Sequence, residues 1–264
     1  MTSPSHPPSS RNRVWIGAAA VAVAAALWAS PASPLALSRA DVALGQGQPG
    51  QAVALYDAAA AWTPLDSVRQ TALDRAATVL EAELNDPSGA RHRLTQMLAE
   101  DLPRAERAQL GARVALTYQQ EGRHAKAASE WRDALEIAPE ALDAASWRAK
   151  TAGALADAGR SRRALQQWVL LVREHPTWRA QANLNRAQLL LASGDVPEAL
   201  PLFEDVVLVG DDAEQAAGRL GASVCLERLG NLDEALARLD LAELPDDVHR
   251  TRTDVLRQRA LWAP

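Results

Sequence analysis

Residues 122–139 read GRHAKAASEWRDALEIAP, with Gly122, Ala127, Trp131, Ala134 and Pro139 at offsets of five, nine, twelve and seventeen from the glycine. The glycine supplies a residue that accepts positive φ, which ends one helix and lets another begin. Ala127, Trp131 and Ala134 stand four and three residues apart, so they share one helical face, where a small-large-small pattern lets a neighbouring helix approach around one aromatic knob. Pro139 closes the helix. Before the glycine, Gln109–Gln120 lacks proline and is rich in Ala, Leu, Arg and Gln, all good helix formers. The stretch therefore predicts two antiparallel helices joined at Gly122.

The same phrase recurs along the chain. Gly47, Ala52, Tyr56, Ala59 and Pro64 keep its offsets, as do Gly159, Ala164, Trp168, Leu171 and Pro176. Gly194, Ala199, Phe203 and Val206 continue it, and Gly230, Ala235, Leu239 and Ala242 close it. Asn85, Ala90, Leu94 and Met97 form a degenerate copy, giving six copies at intervals of 35 to 38 residues. Alanine is common enough to fall at any offset, but the chain has only 8 Trp, 2 Tyr and 1 Phe. Four of these, Tyr56, Trp131, Trp168 and Phe203, occupy one repeat position, which separates the pattern from an ordinary alanine-rich bundle. A single hairpin of this size cannot bury its apolar face, so the units must stack.

The phrase resembles the tetratricopeptide repeat, whose unit of about 34 residues carries this small, aromatic and proline signature. The likeness is fullest over Leu110–Pro139, including Tyr118, and spans residues 34–245. The tryptophan usual early in the unit is missing from its place, with Trp147 near it in an extended fourth copy. The resemblance implies an all-α solenoid of six helix-turn-helix hairpins whose first helices line a concave groove that holds a protein segment. On those first helices, nine residues before the loop glycine, stand Arg113, Lys150 and Asn185, and Gln109, Gln181 and Gln188 are further groove candidates. Such cations and amides can hold a peptide carboxylate by charge-assisted hydrogen bonds. The two-carboxylate clamp of some members also needs Lys and Asn at points where this chain has Ala112 and Leu116, so that ligand is not implied.

The ends carry separate information. Arg11 and Arg13 precede an uncharged stretch from Val14, and no acid occurs before Asp41, the layout of an export signal. Val14–Ala29 as a helix would reach roughly 24 Å, short of the ~30 Å hydrocarbon core, and half of it is alanine. Ser30-Pro31-Ala32 offers a small-residue cleavage site. The segment reads either as a cleaved signal peptide or as an inner-membrane anchor over residues 14–30, and both readings place the repeats outside the cytoplasm. Ser33 and Pro34 read as N-cap and first residue of the first repeat helix. Residues 1–33 thus form the targeting region and residues 246–264 a capping helix, begun by Asp246 or Asp247, with Val248, Val255, Leu256 and Leu261 on its buried side and arginines on its outer face.

Composition narrows the function. Without Arg11 and Arg13, 26 of the 28 basic residues remain against 33 acidic ones, so phosphate-backbone binding lacks the basic excess it needs and nucleic acid is not an expected partner. Cys225 is the only cysteine, which excludes an internal disulfide and predicts a small packed residue. Gly45-Gln46-Gly47-Gln48-Pro49-Gly50 matches G-x-G-x-x-G, yet it joins two helices where a dinucleotide fingerprint needs a preceding strand. His6, His92, His124, His175 and His249 lack the three- or four-residue pairing of helical metal ligands. Glu204-Asp205 and Asp211-Asp212 read as a solvated face or a helix cap. No catalytic residue, metal, cofactor or small-molecule substrate is expected. The functional expectation is a non-catalytic scaffold in the cell envelope that binds a partner protein, with membrane contact only through an uncleaved N-terminal segment. The alternative is an accessory or regulatory subunit of an envelope enzyme, or of secretion or polysaccharide machinery.

Overall fold

The computed structural model describes residues 32–240 and 250–256, and every regular element among them is helical. They belong to two compact units, one ending at Pro103 and one beginning at Arg104. The first holds α1 (Ala32–Gly45), α2 (Pro49–Trp62), α3 (Asp66–Ala82) and α4 (Pro87–Leu98). The second holds α5 (Arg104–Gln120), α6 (His124–Ile137), α7 (Ala144–Asp157), α8 (Ser161–Glu174), α9 (Arg179–Ser193), α10 (Val196–Val209), α11 (Asp212–Arg228) and α12 (Leu232–Asp240), followed by a helical stretch over residues 250–256. Each helix packs on its predecessor within its unit, so the fold is an all-α solenoid of paired helices.

The turns form for the reason the sequence predicts. Gly47, Gly122, Gly159, Gly194 and Gly230 have φ between 70° and 89°, and Asn85, in the degenerate copy, has φ 47°. At all five glycines the next residue's N–H donates to the carbonyl five residues back, as in Arg123 to Tyr118 at 2.9 Å and Arg160 to Leu155 at 2.8 Å. This bond satisfies a carbonyl that the helix end would otherwise orphan. Asn tolerates the left-handed region better than most residues, which explains how the second copy keeps the turn without a glycine. Asp86 then caps α4 by accepting from the Gly89 N–H at 2.9 Å, with Pro87 as the first helical residue. Asp211 caps α11 in a reciprocal box with Glu214, in line with the cap reading of that acidic pair.

The repeat positions are the core. Ala52, Ala90, Ala127, Ala164, Ala199 and Ala235 are each fully buried, and Tyr56, Leu94, Trp131, Trp168, Phe203 and Leu239 are at most 4% exposed. In the second unit Trp131 and Trp147 share a cluster with Ala108, Ala112, Ala115 and Ala134. Trp168 packs with Ala149, Ala152 and Ala182, and Phe203 with Ala187, Ala222 and Cys225. Alanine on the facing helix is what permits the approach, since a larger residue would hold the backbones apart.

The loop Gly45–Gly50 joins α1 to α2, which removes the strand context a dinucleotide site requires. Helix α1 starts at Ala32, so Ser33 and Pro34 fall in its first turn rather than at its cap; proline is tolerated there because that turn's N–H groups have no partner in any case. The signal or anchor at residues 14–30, Ala242, and the expected cap and flanks of the last helix at Asp246, Asp247, Val248 and Leu261 lie outside the described residues. Within 250–256, Leu256 is fully buried beside Leu226, Ala235 and Leu239, and Val255 is half-buried.

One feature of the first unit responds to pH. The Tyr56 hydroxyl donates to Asp41 Oδ1 at 2.5 Å, and Arg75 Nη1 donates to both Asp41 oxygens at 2.7 and 2.6 Å. The Tyr56 hydrogen bond, with help from Arg75 and against some desolvation, holds the Asp41 carboxyl below its ordinary value. Burial and the neighbouring carboxylate push the Tyr56 hydroxyl upward, so it stays protonated and donating. The stability this group contributes is complete above the ordinary carboxylate range and is lost as pH falls through the lowered value. In thermal melts stepped down from about pH 6 to pH 2, Asp41→Asn is expected to lose less melting temperature than the unaltered chain. Parallel curves would show that this pair carries no pH-dependent stability.

Candidate functional site

The candidate binding residues sit at matching registers on the first helices of three successive hairpins. On α5, Gln109 and Arg113 are one turn apart, followed by Leu116, while Ala108, Ala112 and Ala115 of the same helix are buried. On α9, Gln181, Asn185 and Gln188 follow at four- and three-residue spacing, opposite buried Ala180, Ala187 and Asn183. Lys150 is exposed on α7. The helical period thus separates a buried, largely alanine face from a more exposed polar stripe.

The stripe is more engaged than its sequence suggests. The Lys150 ammonium rests 4.8 Å from the centre of the Trp131 ring, where the ring quadrupole attracts it. Asn185 Nδ2 donates to the Gln181 carbonyl at 2.8 Å. Arg113 is half-buried, and Gln109, Gln181 and Gln188 are exposed. Of the two flanking points, Leu116 is exposed while Ala112 is in the core, so only the former borders the stripe. A ligand carboxylate would meet Lys150 as a compact cation already ordered on an aromatic face.

Three other features escaped the sequence reading. Tyr118 is bracketed by Arg123 and Lys126, whose charged groups lie 4.7 and 5.6 Å from its ring centre. Asp205, read above as part of a solvated acidic pair, instead crosses from α10 to α9. It accepts from Arg179 Nε at 2.9 Å and from buried Asn183 at 2.7 Å, and Asn183 in turn accepts from Arg186 at 2.7 Å. Glu204 likewise pairs with Arg238 of α12 at 3.1 Å. The carboxylates and their partners lie 26 and 34 residues apart, so no local spacing rule could join them. In the first unit a cleft of about 510 Å³ opens between α2, α3 and α4. Its charges neutralise one another: Arg93 holds Asp57 at 2.5 Å, and Arg69 reaches Asp66 at 3.0 Å and Glu100 at 3.6 Å.

Among the described residues no three His, Cys, Asp or Glu side chains gather in a way that could hold a metal ion. None of the described helices is long and apolar enough to cross a membrane. Cys225 is fully buried, and burial raises its thiol pKa, as its reading as a packed residue requires.

Residues 150–207 and again 184–247 match the tetratricopeptide repeat family model. No curated protein matches the chain. Among solved structures, BtubC (BKLC) from P. vanneervenii is similar with a TM-score of 0.56 and 16% identity over 84% of this chain and 90% of that one. YrrB, described as a TPR protein with an unusual peptide-binding site, gives 0.54 and 19% over 69% and 90%. The putative kinesin light chain TPR-like repeats from Podosopora anserina give 0.51 and 20% over 67% and 93%. At these identities the likeness is one of fold.

Proposed function

From the premise that this chain is a tetratricopeptide repeat protein, we propose that it is a non-catalytic scaffold whose first-helix stripe holds an extended segment of a partner protein in the cell envelope. The observation that carries the reading is the division of α5, α7 and α9 into a packed alanine face and a polar face bearing Arg113, Lys150 and Asn185 at one register. Stacked hairpins present such faces side by side, which suits a peptide better than a compact small molecule. A carboxylate on that peptide would take Lys150 and Arg113 as charge-assisted partners, and the Gln181, Asn185 and Gln188 amides would bond its backbone. Placement outside the cytoplasm rests on Arg11 and Arg13 ahead of the uncharged run from Val14.

The test reverses the stripe's charge. The Arg113→Glu, Lys150→Glu double variant is expected to reduce capture of crosslinked partner from envelope fractions at least about tenfold, as expected when charged partners are removed from an interface. Its thermal melt should shift little, since the Lys150–Trp131 contact contributes only about 0.5–1 kcal/mol at an exposed site. Undiminished capture would refute the stripe as the binding face. Recovery of the chain in the cytoplasmic fraction would refute the location.

A further inference from the structure

We propose a second docking surface, distinct from the first-helix stripe: the groove where α8 meets α9 and α10, taking an acidic segment of a partner protein that carries apolar side chains beside its carboxylates. The groove encloses about 570 Å³ and is lined by Arg162, Leu165 and Val169 of α8, Arg186 and Leu190 of α9, and Glu198 of α10. Arg162, Leu165 and Val169 follow one another at three and four residues, so they form a single stripe along α8. Val169 is 47% exposed although it lies on a helix whose other face is packed around Trp168 and Leu171.

Positive charge outweighs negative beside this apolar floor. Arg160, Arg162 and Arg163 crowd one turn at the start of α8, all exposed, and none has a hydrogen-bond or ion-pair partner among the described residues. Several other arginines among the described residues are matched to carboxylates: Arg75 to Asp41, Arg93 to Asp57, Arg148 to Glu174, Arg179 to Asp205. Arg186 adds a half-buried guanidinium whose Nε is enclosed and bonded to nothing, and whose Nη1 is held only by the neutral Asn183. Its burial disfavours the charged form and Asp205 offsets only part of that, so an entering carboxylate would relieve a cost that the folded chain already bears. Arg162 and Arg186 therefore line the groove with one carboxylate, Glu198, and Arg160 and Arg163 stand on the adjoining turn that Arg162 shares, in a chain whose formal net charge is −5.

That local reversal of sign selects the occupant. Carboxylates of a docked segment would bond the α8 arginines in charge-assisted pairs while leucine- or valine-like side chains filled the space over Leu165, Val169 and Leu190. An anionic bilayer or nucleic acid fits less well, because the chain as a whole carries a formal net charge of −5 and repels an extended polyanion. The two surfaces meet on α9, but Arg160, Arg162, Arg163 and Val169 belong to α8, the second helix of its hairpin, and its entry, so they can be altered without touching the first-helix stripe.

The probe is a fluorescein-labelled helical peptide carrying leucines and glutamates on one face, compared with the same peptide bearing lysine in place of each glutamate. Fluorescence anisotropy with the full chain should show binding of the acidic form that weakens at least about tenfold in the Arg160→Glu, Arg162→Glu, Arg163→Glu variant and also in Val169→Asp, and that falls with added salt. The altered residues are exposed, and unchanged circular-dichroism melts will verify that both variants stay folded. Equal binding of the lysine peptide, or unaltered affinity in both variants, overturns the proposal. So does preferential binding to phosphatidylglycerol vesicles, which would assign the surface to a membrane. Concentration-dependent self-association that the same variants abolish would make a second copy of the chain the occupant and overturn the partner assignment. Loss of the peptide in the Arg113→Glu, Lys150→Glu variant alone would move it to the first-helix stripe.

Discussion

Trp131→Ala is expected to cost about 3–5 kcal/mol of stability, the range for removing a buried tryptophan. The ring is 2% exposed and packs among Ala108, Ala112, Ala115, Ala127 and Ala134. Those neighbours set the size of the effect. Most of that wall is alanine, which has no side chain to swing into the space, so among the buried neighbours only Leu135, Trp147 and Leu155 can relax toward it and the cavity stays largely open. Denaturant unfolding of the full chain, followed by fluorescence of a remaining tryptophan such as Trp168, measures it. Trp131→Phe should lose less than half as much, because the indole N–H is buried without a partner and its removal gives up no hydrogen bond. A loss under about 1 kcal/mol for the alanine variant would contradict the assignment of Trp131 as the knob of its hairpin, given the typical cost above.

The second large effect runs the other way in volume. Gly221 and Gly218 lie on one face of α11 against Phe203, and a Cβ at Gly221 would fall 2.2–2.6 Å from atoms of the Phe203 ring. Gly221→Ala should therefore destabilise by about 1–3 kcal/mol through overpacking, although the same change in an open helix gains nearly 1 kcal/mol from backbone propensity. Gly153, in α7, supplies the control. Nothing lies within 4 Å of its Cβ position, so Gly153→Ala should stabilise. Combining Gly221→Ala with Phe203→Leu should recover part of the loss, a coupling that a double-mutant cycle would register. If Gly221→Ala stabilised the chain as Gly153→Ala does, the close crossing of α10 and α11 would be wrong.

These two sites differ in how much of them a reader of the sequence could see. Trp131 stands at a repeat offset, so its burial follows from comparing six copies. Gly221 belongs to no repeat position, and its neighbour Phe203 is 18 residues away on another helix. The same division runs through the binding surfaces. The register of Arg113, Lys150 and Asn185 can be counted from the loop glycines. That Lys150 rests on Trp131, that Asp205 is tied to Arg179 and Asn183, and that Arg162 borders an apolar groove could not be counted. The one signal in the sequence was the run Arg160-Ser161-Arg162-Arg163, three cations in four residues, which says nothing of what lies beside it.

By itself the sequence determined the hairpin, the turn and the knob. Each of these depends on backbone conformation or on residues within one helical turn, and six copies of the phrase average away the exceptions, so Asn85 could stand for glycine without hiding the pattern. Only the tertiary structure decided which charges are matched and which are free. Ion pairs and close crossings join residues that are remote along the chain, and whether a cation finds a carboxylate depends on side-chain reach between packed helices, a distance of a few ångströms that no spacing rule along one helix contains.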